Sequence, residues 1–174
     1  MVEATVQRDN PELLAVILIA VDAGLRRNEI LRLEWESIDF DNRVIRVVAS
    51  HTKTERERLA PFTRRAADAL RNLPGYERRT GKVFTGKYIQ RSWSTSKRIA
   101  GLVGLQFRDL RRTAGTRMEL LGIPHTIVQK ILGHAAADIT GRHYIAAAPD
   151  TVRMAADKLD ARNDGRSHNN LAEG

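Results

Sequence analysis

Residues 27–49 read "RNEILRLEWESIDFDNRVIRVVA", and the fold class turns on where helix gives way to strand within them. Ile30 and Leu33, then Leu31 and Trp35, stand at helical spacing, so "RNEILRLEW" is expected to form a short helix. "IDF", a turn at Asp41 and Asn42, and "RVIRVVA" then read as a β-hairpin. The expectation is a mainly helical chain that carries one small antiparallel sheet.

Working upstream, Asn10, Pro11 and Glu12 supply a cap, a first-turn proline and an acid in the order that starts a helix, and Gly24 closes it. The longest apolar run, "LLAVILIAV" at 13–21, lies inside this helix and is far shorter than the roughly 20 residues a membrane span needs. It is a core helix. Downstream, "HTKTERERLAPF" continues as another strand pair with Lys53 at its tip and Pro61 at an edge. Thr63 caps a helix to about Leu73, which Pro74 and Gly75 end.

Further on, "YIQRSWSTSKRIAGL" reads as a helix with Ile89, Trp93 and Ile99 on its inner side. Phe107, Leu110, Ala114, Met118 and Leu121 mark the next helix, and Gly122 with Pro124 marks a stop and restart. "HTIVQKIL" leads to Gly133. Two more helices are expected, one from about Asp138 through Tyr144 and one begun by Pro149 and Asp150 and running to about Leu159. Residues 161–174 are polar and are expected to be disordered. The fold class is α+β, mainly α.

Composition narrows the function. With 174 residues, 42% of them hydrophobic, the chain can bury a core as one ordinary domain. Zero cysteines exclude a disulfide framework, a thiolate nucleophile and a Cys-based zinc site. No H-E-x-x-H or similar histidine spacing points to a metal. No charged-then-apolar leader with a small-residue cleavage site is read in these residues, so a cytoplasmic location is expected. Net charge is +8, yet residues 51–112 alone hold 16 basic and 5 acidic side chains, so this middle third carries the whole excess. A basic block inside a folded domain points to a polyanion, most often nucleic acid, or to a merely solvated cationic face.

Part of that block poses an electrostatic problem. "FRDLRRT" puts Arg108, Arg111 and Arg112 at the start of a helix, where the positive dipole end makes each cation cost about 0.3–1 kcal/mol unless an anion is near. "GIPHTIVQKILGH", following an upstream helix, could also be a helix-turn-helix that reads DNA without chemistry.

Four stretches taken in order carry a more specific signal, with a non-catalytic helix-turn-helix DNA-binding protein kept as an alternative. "AGLRRNEILRLEWESIDF", "HTKTERERLAPF", "FRDLRRTAGTRMELLGI" and "ILGHAAADITGRHYI" resemble the catalytic domain of tyrosine recombinases, the phage integrase group, over about residues 10–150. The resemblance implies a catalytic domain over residues 1–160. It also implies an N-terminal DNA-clamping domain that this sequence does not include. Arg26, in Gly24-Leu25-Arg26 with Glu29 three residues on, matches the first catalytic arginine; alone it would read as a surface charge. Lys53 matches the catalytic lysine, and Arg111 the second arginine. Arg108 stands where the family usually has histidine. Arginine cannot act as a base near neutral pH, so Arg108 is expected to clamp phosphate instead. Arg112, about 100° around the helix from Arg111, is expected to face solvent or DNA backbone.

His134 matches the family's later histidine, although "GH" alone would read as a helix cap. Tyr144 matches the nucleophile. It stands ten residues after His134, one more than in many members, and His143 holds the nearer position. The implied reaction is attack by Tyr144 on a DNA phosphodiester, with arginines holding the charge that gathers on the non-bridging oxygens and Lys53 protonating the departing 5′ oxygen. One phosphoester replaces another, so neither ATP nor a metal is needed and no cofactor is expected. The expected partner is double-stranded DNA at a specific recombination site, bound by a homotetramer that exchanges a C-terminal segment, for which residues 150–160 are the candidate. A type IB topoisomerase-like enzyme would share this chemistry but relax supercoils.

Overall fold

A computed structural model of the chain describes residues 10–48, 57–87, 89–133 and 147–172, the last seven of these as backbone only. Helix α1, Pro11–Leu18, starts as its sequence demands: Asn10 caps it by accepting the Leu13 N–H at 3.2 Å. Leu13, Ala15, Val16 and Leu18 are buried, so this apolar helix lies in the middle of the core. Its continuation widens into a π-helical turn, Ile19–Ala23, which carries the fully buried Asp22. Such turns are rare and recur near functional sites. Gly24 then reverses the chain with φ +72°.

The helix expected over "RNEILRLEW" is shorter than its spacing suggests. Helix α2 is Arg27–Leu31; Arg32 leaves the helical region, and Trp35 belongs to a 3₁₀ turn, Trp35–Ser37. The competing pattern wins because residues 33–35 pair with 81–83. The Val83 N–H donates to the Leu33 carbonyl and the Trp35 N–H to the Gly81 carbonyl, both at 2.9 Å. Leu33 and Trp35 are buried while Glu34 between them is exposed, the two-residue alternation of an extended segment.

The hairpin forms as expected. Strand β1, Ile38–Asp39, pairs antiparallel with β2, Val44–Val47, which pairs antiparallel with β3, Arg58–Pro61. Pro61 sits opposite Val44 on an edge strand, where its missing N–H does least harm. Helix α3, Arg64–Arg71, is capped by the Thr63 hydroxyl. Helix α4, Ile89–Ile99, buries Ile89 and Trp93, but Ile99 is 56% exposed, against the expectation that it faces inward. Ten residues carry Ile99 about 80° away from the Ile89 face. The inner position one turn after Trp93 belongs to Lys97, whose Nζ lies over the Trp93 ring and donates to the Leu105 carbonyl at 2.8 Å.

Helix α5, Phe107–Leu120, buries Leu110, Ala114 and Met118 against the π-helical turn, and α6, His125–Leu132, ends at Gly133 with φ +66°. Helix α7, Pro149–Ala172, keeps its backbone helical past Leu159, where the described part of the tail was expected to be disordered. Basic residues of the body hold it there. Asp160 accepts the Arg64 N–H at 2.9 Å and pairs with Arg43, Arg117 donates to Asn163 at 2.6 Å, and Arg64 pairs with Asp164. Val152, Ala155, Ala156 and Leu159 pack α7 onto its own chain, so the segment expected to pass between subunits is engaged internally here. The strand-pair tip at Lys53 and the helix expected at 138–144 lie outside the described residues.

Candidate DNA-cleavage site

The start of α2, the first turns of α5 and the last turn of α6 meet at one place. Gly24 makes the close approach possible: a Cβ there would lie 2.4 Å from Leu132 Cδ2, besides the strain of its positive φ. Arg26 follows as the N-cap of α2. Glu29 secures it twice, accepting the Arg26 backbone N–H on Oε2 at 2.7 Å and its guanidinium on Oε1 at 2.9 Å. The sequence spacing of three residues suggested this contact. The Arg26 side chain still keeps 42% of its surface, so the cation is oriented without being enclosed.

Arg111 is held differently. Its Nη1 donates to the Gly24 carbonyl at 2.8 Å, and its Nη2 donates to the Leu132 carbonyl. The last carbonyls of a helix lack partners and form the negative end of its dipole. Part of the electrostatic problem at the start of α5 is thereby solved, because Arg111 reaches across to the negative end of α6. The N-terminus of α5 is satisfied separately by a reciprocal cap in which Asp109 accepts the Gln106 N–H at 2.8 Å. Arg112 is exposed, 4.0 Å from Asp109, and faces solvent as expected. Arg108 is exposed too, and among the described residues it has neither an ion pair nor a hydrogen bond. It does not answer to Asp109.

One residue of this cluster escaped the sequence reading. Arg58, at the start of β3, is only 4% exposed; it donates from Nη2 to Glu29 Oε2 at 2.7 Å and from Nε to the Ile131 carbonyl at 2.9 Å. Burial pushes the Glu29 carboxyl up, but the hydrogen bond and charge of Arg58, joined by the Arg26 N–H groups, hold it below the usual range. The missed signal was the strand period: Ala60 and Phe62 point inward, and Arg58 shares their face. Gly133 closes over this side chain, since a Cβ there would come within 2.8 Å of Arg58 Cδ.

Of the six residues singled out by sequence, Arg26 and Arg111 thus converge through Gly24, and Arg108 stands on the first turn of the same helix as Arg111. Lys53, His134 and Tyr144 lie outside the described residues. Among the described residues no cluster of His, Cys, Asp or Glu could hold a metal, and no helix is long and apolar enough to cross a membrane.

Comparison with known proteins bears on the family and the fold. The sequence profile of the phage integrase family matches residues 2–150. Prophage integrase IntF of Escherichia coli K12 is 29% identical over 163 residues, covering 87% of this chain and 34% of that protein. Tyrosine recombinase XerA of Saccharolobus solfataricus is 35% identical over 121 residues, covering 68% and 40%. The chain therefore spans well under half the length of these relatives. The Tn1549 transposon integrase, solved in complex with circular intermediate DNA, shares the fold with a TM-score of 0.59 at 20% identity over 88% of this chain and 60% of that one. With a helical body, a three-stranded antiparallel sheet and a profile match over most of its length, the chain belongs to the phage integrase family of tyrosine recombinases.

Proposed function

We propose that this chain is the catalytic domain of a site-specific DNA recombinase that cuts and rejoins strands through a 3′-phosphotyrosyl link. The observation that carries the reading is the Arg26–Arg111 pair, two arginines fixed by Glu29 and by the Gly24 carbonyl on a single turn of backbone. Planar guanidinium groups held in this way suit the non-bridging oxygens of a phosphodiester. Arg108, exposed and without a protein partner among the described residues, supplies a third donor where the family usually has histidine.

In this reading Tyr144 loses its proton to solvent as its Oη attacks phosphorus, the P–O5′ bond breaks, and Lys53 gives a proton to the leaving 5′ oxygen and regains one from solvent. His134 donates to a phosphate oxygen or positions the tyrosine. Rejoining is the reverse attack by a 5′-hydroxyl, and neither cofactor nor metal enters the balance. The partner is double-stranded DNA in the cytoplasm, in keeping with a structural neighbour solved on DNA. The full-length protein acts as a homotetramer. Because the inner face of α7 is already packed, a contact between subunits through residues 150–160 would use its outer face, where Met154 is exposed.

The test uses duplexes with a randomised core and a nick that lets the 5′-hydroxyl fragment diffuse away. The wild type is expected to form an adduct that survives denaturing electrophoresis and maps by mass to Tyr144. Tyr144→Phe should form none, and His143→Ala should still form it. No adduct with the wild type, or one on another residue, overturns the reading.

A further inference from the structure

We infer that Arg58 is a positioning residue for the arginine clamp, a role that rests on the recombinase reading above. Three observations carry it. Arg58 is a buried cation whose two described acceptors belong to different parts of the site: Glu29, which orients Arg26, and the Ile131 carbonyl in the last turn of α6. The next carbonyl in that turn, Leu132, is an acceptor of Arg111. Gly133 has no room for a side chain against Arg58, so the guanidinium is enclosed from that direction as well.

The geometry makes Arg58 a brace between the two catalytic arginines. Glu29 uses Oε1 for the Arg26 guanidinium and Oε2 for Arg58, so the carboxylate is gripped from both sides. Without Arg58, Glu29 could rotate and Arg26 would lose its reference. The end of α6 would lose one of its two described arginine donors, and with it the register of the carbonyl that fixes Arg111. A planar fork is needed because the two acceptors lie on different elements. Lysine can keep the charge beside Glu29, but its single ammonium cannot reproduce both directions.

Single-turnover cleavage of the nicked duplex, measured at saturating protein and normalised to folded fraction, tests this. Arg58→Met is expected to slow cleavage by about 10²-fold, the scale of a small misplacement of catalytic groups, while DNA affinity stays within about threefold of wild type. Arg58→Lys should recover part of the rate. A role in stability alone would lower the melting temperature and leave the rate per folded molecule unchanged, and that result overturns the proposal. A second measurement is independent of any DNA reaction: ¹⁵N relaxation of the Arg26 guanidinium should show an ordered group in the wild type and a mobile one in Arg58→Met. Equal order in both also overturns it. Should Arg58→Met fail to fold, Arg58→Lys carries both measurements. If the wild type forms no adduct but Arg26 is loosened, the brace stands and the recombinase reading falls.

Discussion

Two arginine clusters lie within a few residues of each other in the chain and behave in opposite ways. Around Asp22, in the π-helical turn, Arg65 donates twice at 2.6 and 2.7 Å, Arg117 donates at 2.7 Å, and the Thr63 hydroxyl donates at 2.7 Å. There the anion is part of the protein and has no exposed surface. Around Gly24 the described contacts mix carbonyls with a shared carboxylate. Carbonyls of Gly24 and Leu132 accept from Arg111, and the Glu29 carboxylate is shared between Arg26 and Arg58. Carbonyls set a direction but leave the positive charge in place. An arginine cluster whose anion is supplied internally ties elements together; in the proposed function the cluster around Gly24 meets a phosphate instead.

Substitutions that separate the two clusters should give the largest effects. Asp22→Asn leaves buried Arg117 without its charge partner and should cost about 3–5 kcal/mol in chemical denaturation, with cleavage per folded molecule unchanged. Arg111→Gln should do the reverse, slowing single-turnover cleavage by about 10²- to 10³-fold with a much smaller loss of stability. If Asp22→Asn instead lowered the cleavage rate of the folded protein, the division between the clusters would fail.

Arg108 sharpens the contrast further. If Arg108 donates to developing charge, Arg108→Ala should slow cleavage by about 10²-fold, whereas Arg108→His should retain appreciable rate because imidazole can donate to the same oxygen. Equal single-turnover rates for arginine and alanine would place this residue outside the chemistry. Its exposure means that neither variant should shift the melting temperature by more than a degree or two, on the order of 0.5 kcal/mol.

The smallest effect concerns pH. The folded carboxyl of Glu29 lies below its unfolded value, which is about 4.3. Near that pH the unfolded chain binds more protons, so stability rises with pH. The contribution is complete above the unfolded value and is lost as pH falls through the folded one. Glu29→Gln removes it. The stability gap between wild type and Glu29→Gln should therefore narrow as denaturation is followed from pH 6 down to pH 3, and a constant gap would mean that Arg26 and Arg58 do not hold the ionised form.

Local chemistry was legible without the fold. Asn10, Thr63 and Gly24 mark helix ends because caps and left-handed turns depend on single residues, and all three act as expected. The hairpin around Asp41 and Asn42, the buried stripe of α5, and the Arg26–Glu29 contact are equally local. Long-range competition was not legible. "RLEW" follows a helical period, yet pairing with residues 81–83 draws it into extended backbone. The tail from 161 looks too polar to order, yet Arg64 and Arg117 hold Asp164 and Asn163 in helix.

The sequence by itself determined which residues could bind a phosphate, because charge, donor geometry and motif spacing are properties of the chain. Tertiary structure alone decided which groups hold each arginine. Arg58, Arg65, Arg108, Arg111 and Arg117 are chemically identical in the one-dimensional string. Their roles divide according to what lies across from them: a buried Asp22 for two, the end of α6 for two, and solvent for Arg108. The acceptors come from elements distant in sequence, so the energy of each guanidinium is set by three-dimensional neighbours that no local pattern contains.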